Sequence, residues 1–180
     1  MLAATNLSSM PAAEEIPMSF SNNISRAIKP FEKLPDSLRI RAVSLIFGNV
    51  VPFVGTSGLR YEELTHNRVV VSVRNRRKVQ NHIKSVHAAA IALLAETASG
   101  FVVGMNLPDD RIPLIKTLHV DYTRRSSGDL RAVATLTDAD IARIRSEPKG
   151  EVLVPVTLTD ATGQEPVQCQ MIWAWTSKKK

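Results

Sequence analysis

Residues 87–104 read HAAAIALLAETASGFVVG, and this run decides how the rest of the chain must be arranged. It has helical length and is apolar on every side. A surface helix of a globular protein keeps a polar stripe, and this one has none. It therefore needs cover from other structure, such as a strongly curved sheet together with a partner. Ala88, Ala89, Ala90, Ala92, Ala95 and Ala98 permit close approach. Only two ionisable groups occur in it, His87 at its start and Glu96 in its middle. Burying a carboxylate is unfavourable unless it is paired or has a task. Composition alone leaves a structural, hydrogen-bonded Glu96 and a working one equally open.

The sequence on either side supplies the cover. Residues 1–20 show no sustained period and read as a mobile tail. From about Ser21 to Phe47 the apolar spacing is helical, interrupted by Pro30 and Pro35, so at least two short helices are expected. Asn49 to Gly58 reads as an irregular apolar connection. Leu59–Leu64 and Arg68–Arg74 are expected strands, with Val69, Val71 and Val73 on one face. A basic loop, Asn75 to Ser85, leads into a helix expected from about Val86 to Met105, with Ser85 as candidate N-cap. Beyond it, Leu114–Arg125 alternates, with Leu118, Val120 and Tyr122 on one side. Alternating runs follow at Leu130–Leu136, Val152–Leu158 and Val167–Trp175. Thr137 to Asp140 resembles a capping box, which places a short helix over Asp138 to Arg145. Strands with one embedded apolar helix make the fold class α+β. A single domain over 21–177 is expected, with residues 178–180 a basic tail.

Bulk properties narrow the function. The chain has 180 residues, 44% of them hydrophobic and 22% charged, which suits one globular domain. A formal net charge of +6 favours an anionic partner: a nucleic acid, an acidic membrane surface or a phosphate-bearing molecule. The single cysteine, Cys169, rules out an intrachain disulfide and a Cys-based zinc site, and a cytoplasmic location is expected. The longest apolar stretches, Ala42–Val54 and Ala88–Val103, are broken by Gly48 and Pro52 or by Glu96, so no membrane insertion is expected.

Asn81-His82-Ile83-Lys84-Ser85-Val86-His87-Ala88-Ala89 followed by Glu96 resembles the signature of hotdog-fold thioesterases related to the phenylacetate-pathway enzymes. That family shows an Asn, five residues, His-Gly-Gly, and an acidic residue nine positions after the His. The resemblance looks closest to a bacterial branch with Val-Gln-Asn-His before the His and Leu-Ala-Glu after it, and it extends over about Leu59 to Trp175. There are two departures: Ala88 and Ala89 replace the two glycines, and Lys84 stands where Gly is usual.

The resemblance implies a hotdog fold, with a curved antiparallel sheet around the long helix, and hydrolysis of an acyl-CoA or acyl-carrier thioester. By it, Glu96 is general base or nucleophile. The Asn81 side chain and the Ala88 N–H polarise the carbonyl, and His87 shapes that pocket. Thr97, Ser99 and His82 are supporting candidates, with helix packing the stronger reading for Ser99. Coenzyme A enters as part of the substrate; no other cofactor and no metal are expected. Arg74, Arg76, Arg77, Lys78 and Lys84 are candidates for its phosphates. No aromatic residues interleave with them, so nucleic acid is not the expected partner.

A homodimer follows, with a dimer of dimers as a larger form. His87 and Glu96 lie nine residues apart, ~13.5 Å along a helix and on roughly opposite sides, so one helix cannot bring both to one carbon. The alternatives are a hotdog protein that binds an acyl ligand or a protein partner without turnover and, ranked low, a dehydratase or isomerase.

Overall fold

The computed structural model describes residues 20–178, and the N-terminal stretch read as a tail lies almost wholly outside them. Two elements open the described chain, helix α1 (Asn23–Ile28) and a short 3-10 turn, Lys29–Phe31. Helix α2 (Asp36–Val50) follows Pro35, and α3 (Pro52–Ser57) follows at once. Strands β1 (Arg60–Leu64) and β2 (Arg68–Val73) precede the apolar helix α4 (Ala88–Gly104). Then come β3 (Arg111–Tyr122), β4 (Leu130–Thr135), α5 (Asp138–Ser146), β5 (Gly150–Val154), β6 (Val156–Asp160) and β7 (Val167–Ser177). This is an α+β hotdog fold, with antiparallel strands wrapped on α4.

The sheet runs β1-β2-β4-β6 on one side and β3-β7-β5 on the other. β5 and β6 are two halves of one extended run broken at Pro155. The first half bonds to β7 and the second to β4. Proline has no N–H to give a ladder, which accounts for the break in what alternation alone presents as a single strand. The Pro155 carbonyl still accepts from the Thr135 N–H, so the chain bends without losing both neighbours. That bend curls the sheet round α4. Ala132 and Ala134 on β4 and Ala95 and Ala98 on α4 are fully buried, and these small side chains permit close approach of helix and sheet.

The N-terminal helices form a second cover. The connection read as irregular over Asn49–Gly58 is helical instead: α2 continues to Val50, and α3 begins at Pro52, whose fixed φ suits a first helical turn. Gly48 and Gly55 permit this tight pair, since a Cβ on Gly55 would lie 2.4 Å from the Gly48 carbonyl oxygen. Phe47 of α2 meets Phe101 of α4 edge-to-face, with ring centres 4.7 Å apart. Buried Asn22 ties α1 to the far end of α4, its amide donating to the Gly104 and Leu107 carbonyls at 2.7 and 2.8 Å. The Gly104 carbonyl is the last of α4, where helix carbonyls need outside donors, and Leu107 lies in the turn that follows. Among the described residues, no helix is long and apolar enough to cross a membrane.

Candidate active site

The site has two halves, one at each end of the first two-thirds of α4. The N-terminal half is built by the loop Asn81–His87. The N-cap is His87, not Ser85: its Nδ1 accepts the Ala89 N–H at 3.1 Å, and its ψ of 141° takes it out of the helix. Ser85 is buried in the loop instead, donating to the Ser126 carbonyl and receiving Arg125 Nε at 3.0 Å. An accepting Nδ1 leaves the imidazole proton on Nε2. The carbonyl of His87 accepts from Ala90 and Ile91, and the first helical N–H, that of Ala88, has no partner among the described residues.

Asn81 is oriented by the same loop. Its Oδ1 accepts the Ile83 and Ser85 N–H groups, both at 3.1 Å. Its Nδ2 is therefore turned outward as a donor, with no partner among the described residues. Lys84 closes the loop with φ at +61°, the left-handed region where glycine is at ease. This is the physical reason a glycine is usual at that position; the present chain holds the same bend with a lysine. Arg125 Nη2 on the Ile83 carbonyl, at 2.8 Å, and Asn75 Nδ2 on the Lys84 carbonyl, at 3.1 Å, brace it. His82 is exposed and braces nothing among the described residues. Tyr122, from the end of β3, donates its hydroxyl to the Ala88 carbonyl at 2.8 Å. Alternation presents it only as part of a strand face with Leu118 and Val120, and gives no sign of this bond.

The second half surrounds Glu96. A cavity of about 230 Å³ lies over α4, with Glu96, Thr97, Gly100 and Phe101 in its floor. Ile24 of α1, Val51 just before α3 and Val54 of α3 cover it, and Pro113 and Trp173 close one side. Glu96 is half-buried, and burial pushes its carboxyl above its ordinary pKa, with no hydrogen bond or charge among the described residues to offset it. Thr97 is buried in the same wall. Ser99 points away from the cavity into the core. It back-bonds to the Ala95 carbonyl at 2.8 Å and accepts Trp173 Nε1 at 2.9 Å. Its role is to hold the tryptophan wall.

Within one chain the two halves stay apart. The Glu96 cavity contains none of Asn81, His87 or Ala88. Because His87 is outside the helical screw, the opposite-sides angle does not apply to it. The axial separation does: Ala88 and Glu96 are eight residues apart, about 12 Å of helix. Ala88 and Ala89 are exposed, and Ala92, Glu96 and Gly100 are half-buried, so α4 keeps one open stripe on which Glu96 sits.

The basic loop also divides. Arg74 and Arg76 line a groove along α2, together with Arg41 and Arg60. Arg77, Lys78 and Lys84 are exposed on the stretch leading into α4. Among the described residues, no group of three His, Cys, Asp or Glu side chains is placed to hold a metal ion.

A family model described as "Domain of unknown function (DUF4442)" matches residues 39–175. No curated protein matches the chain. Among solved structures, a Pseudomonas aeruginosa protein of unknown function, described as a probable thioesterase, is 27% identical with a TM-score of 0.69. The match covers 81% of this chain and 97% of that one. A Haemophilus influenzae thioesterase matches at 11% identity and TM-score 0.62, over 77% and 90% of the two chains. A Staphylococcus aureus thioesterase enzyme matches at 19% and 0.59, over 70% and 99%. At these last two identities the likeness speaks for the fold.

Proposed function

The chain belongs to the DUF4442 family and has the fold of known thioesterases, and from that premise we infer that it hydrolyses an acyl thioester, with coenzyme A or a carrier as the thiol. The observation that carries this reading is Glu96. It is a carboxylate with a raised pKa and no partner in its own chain among the described residues, set in the floor of an apolar cavity. A carboxyl held this way is suited to take a proton from water, or to attack the acyl carbon itself. Water adds to the carbonyl carbon, the C–S bond breaks, and carboxylate and thiol leave. The developing oxyanion needs donors, which the Ala88 N–H, at the positive end of α4, and Asn81 Nδ2 would supply.

Those donors and Glu96 would meet only across a two-fold pair of chains, the donors of one facing Glu96 of the other. The open stripe of α4 supports this pairing. So does β3, an edge strand of twelve residues whose Leu118 and Tyr122 are 43% and 48% exposed on the side that faces α4. Long uncovered edges are templates for pairing. In this reading the cavity takes the acyl chain. At about 30 Å³ per heavy atom, the share of a water molecule in the liquid, it holds roughly eight atoms. Arg77, Lys78 and Lys84 would meet the coenzyme A phosphates.

The test is thiol release over a panel of acyl-CoA chain lengths, followed by complementation. Asn81→Ala and Glu96→Gln chains are each expected to be inactive. Mixed dimers contain one intact site, so activity returns to about a quarter of wild type for random pairing. Mixed dimers that demonstrably form yet stay inactive refute the shared site. Wild-type turnover in Glu96→Gln refutes the role of Glu96.

A further inference from the structure

Four arginines from three parts of the chain converge on one groove that the hydrolytic site does not use. Arg41 comes from α2, Arg60 from the start of β1, and Arg74 and Arg76 from the segment after β2. The groove encloses about 1110 Å³ and runs along the outer face of α2. Leu38 and Leu45 lie on that face with Arg41 between them, at the three-and-four spacing of a helix, and Leu34 precedes the helix on the same groove. Leu34, Leu38 and Leu45 are 38%, 51% and 67% exposed. Large aliphatic side chains left this open and side by side mark an interaction surface. Among the described residues, no aspartate or glutamate lines the groove. Asp36, at the start of α2, is held by Arg39 at 2.8 Å.

Three occupants fit part of this pattern. Single-stranded nucleic acid would use the arginines, but no aromatic side chain among the described residues lines the groove to stack a base. A second copy would use the leucines, but a two-fold contact sets the same patch against itself, and four arginines would face four arginines. A bilayer carrying anionic headgroups uses both: aliphatic side chains enter the headgroup boundary, and the arginines meet the phosphates beside them. We propose that the α2 groove is a reversible docking surface for anionic phospholipid membranes.

The placement relates the surface to the cavity. Helix α3 is a wall common to both, with Pro52, Gly55 and Thr56 on the groove and Val54, next to Val51, on the Glu96 cavity. Docking through α2 therefore brings the cover of the cavity to the bilayer. The docking itself does not depend on any catalytic reading and is measured without substrate.

The experiment is co-sedimentation of the full chain with vesicles of phosphatidylcholine alone and of phosphatidylcholine with one-third phosphatidylglycerol. Binding is expected only to the anionic vesicles and falls as salt is raised. Arg41→Gln with Arg60→Gln weakens partitioning roughly 25-fold, at about fivefold for each charge near an anionic surface. Leu45→Glu weakens it further, with melting temperature and oligomeric mass unchanged. Lys149→Gln, outside the groove, removes a charge with little effect. The proposal is overturned by absence of binding to anionic vesicles, by equal binding to neutral ones, or by variants that bind as wild type. It is also overturned if Leu45→Glu changes the oligomeric mass, which would make the groove a subunit interface.

Discussion

Removing one hydroxyl, that of Ser99, tests whether the wall of the Glu96 cavity is held as described. Ser99 is fully buried and Trp173 nearly so. The serine oxygen accepts the indole N–H at 2.9 Å and gives its own proton to the Ala95 or Glu96 carbonyl. Ser99→Ala leaves those carbonyls in place within the helix. The one group that loses its partner is the indole N–H. The ring cannot swing away to find water, because α4 presses on it: a Cβ on Gly100 would lie 2.7 Å from its edge. A buried donor left without an acceptor costs about 1–3 kcal/mol. For a chain of this size each kcal/mol lowers Tm by about 2–4 °C, so a fall of roughly 2 to 12 °C is expected by calorimetry or near-ultraviolet dichroism. The double-mutant cycle with Trp173→Phe isolates the bond. In the Trp173→Phe background there is no N–H to orphan, and Ser99→Ala should then be nearly neutral. If Ser99→Ala melts within about a degree of wild type, or costs as much in the Trp173→Phe background as it does beside the native tryptophan, the hydrogen bond is not what holds the wall.

Other substitutions probe other parts of the chain. Glu96→Gln should raise Tm at neutral pH and not in acid. A folded pKa above the unfolded value makes the ionised form oppose folding, a penalty that grows as pH rises past the ordinary value of 4.5 and is complete above the folded pKa. Equal effects of Glu96→Gln at both pH values, in parallel thermal melts, would contradict the buried environment. Asp160 has the opposite sign. Bonds from Thr162, Ser127 and Gln164 hold its carboxyl down at about 2, so Asp160→Asn should lower Tm at neutral pH, and the difference should vanish as pH falls through that value. Lys84→Gly should leave the loop intact and stabilise the chain by up to about 1 kcal/mol in urea melts, by relieving a left-handed lysine. Gly55→Ala should destabilise by at least about 1–3 kcal/mol, because the methyl would meet backbone rather than a movable side chain.

The sequence was most legible where a pattern repeats. The all-round apolarity of residues 87–104 required a helix wrapped by a sheet, and alternation placed Val167, Cys169, Met171, Trp173 and Trp175 on one face. It was least legible where a single residue overrides a pattern. Pro155 splits a run that alternates without interruption from Val152 to Leu158. Pro52, in a stretch rich in Gly and Pro, starts a helix rather than preventing one, because Gly48 and Gly55 let two helices touch. Ser85 has the chemistry of an N-cap, but the loop closes two residues later and the imidazole of His87 takes that place. The Glu96 cavity was out of reach for another reason. Ile24, Val51, Val54, Pro113 and Trp173 come from four parts of the chain, and no local spacing relates them. The same holds for the groove, since only Arg74 and Arg76 of its four arginines are neighbours in sequence.

What local pattern could not reveal, the open surface of α4 makes intelligible. A helix with no polar face must be covered, and the chain covers most of it, by sheet on one side and by α1 and α3 on another. The stripe that stays open begins with Ala88, Ala89 and Ala92 and runs on to Glu96 and Gly100 in the floor of the cavity beneath α1 and α3, small side chains around one carboxylate. A solvent-facing stripe would have no reason to be so small or so apolar, and a buried one would have no reason to keep an acid that has no partner among the described residues. Both features make sense together if the cover is another α4 in the opposite direction. Antiparallel pairing sets the start of one helix beside the middle of the other. The Ala88 N–H and Asn81 Nδ2 of one chain would then approach Glu96 of its neighbour, groups that have no partner among the described residues of their own chain. Under the proposed pairing, the edge strand, the two donors and the carboxylate, which lack partners among the described residues of one chain, would be met together.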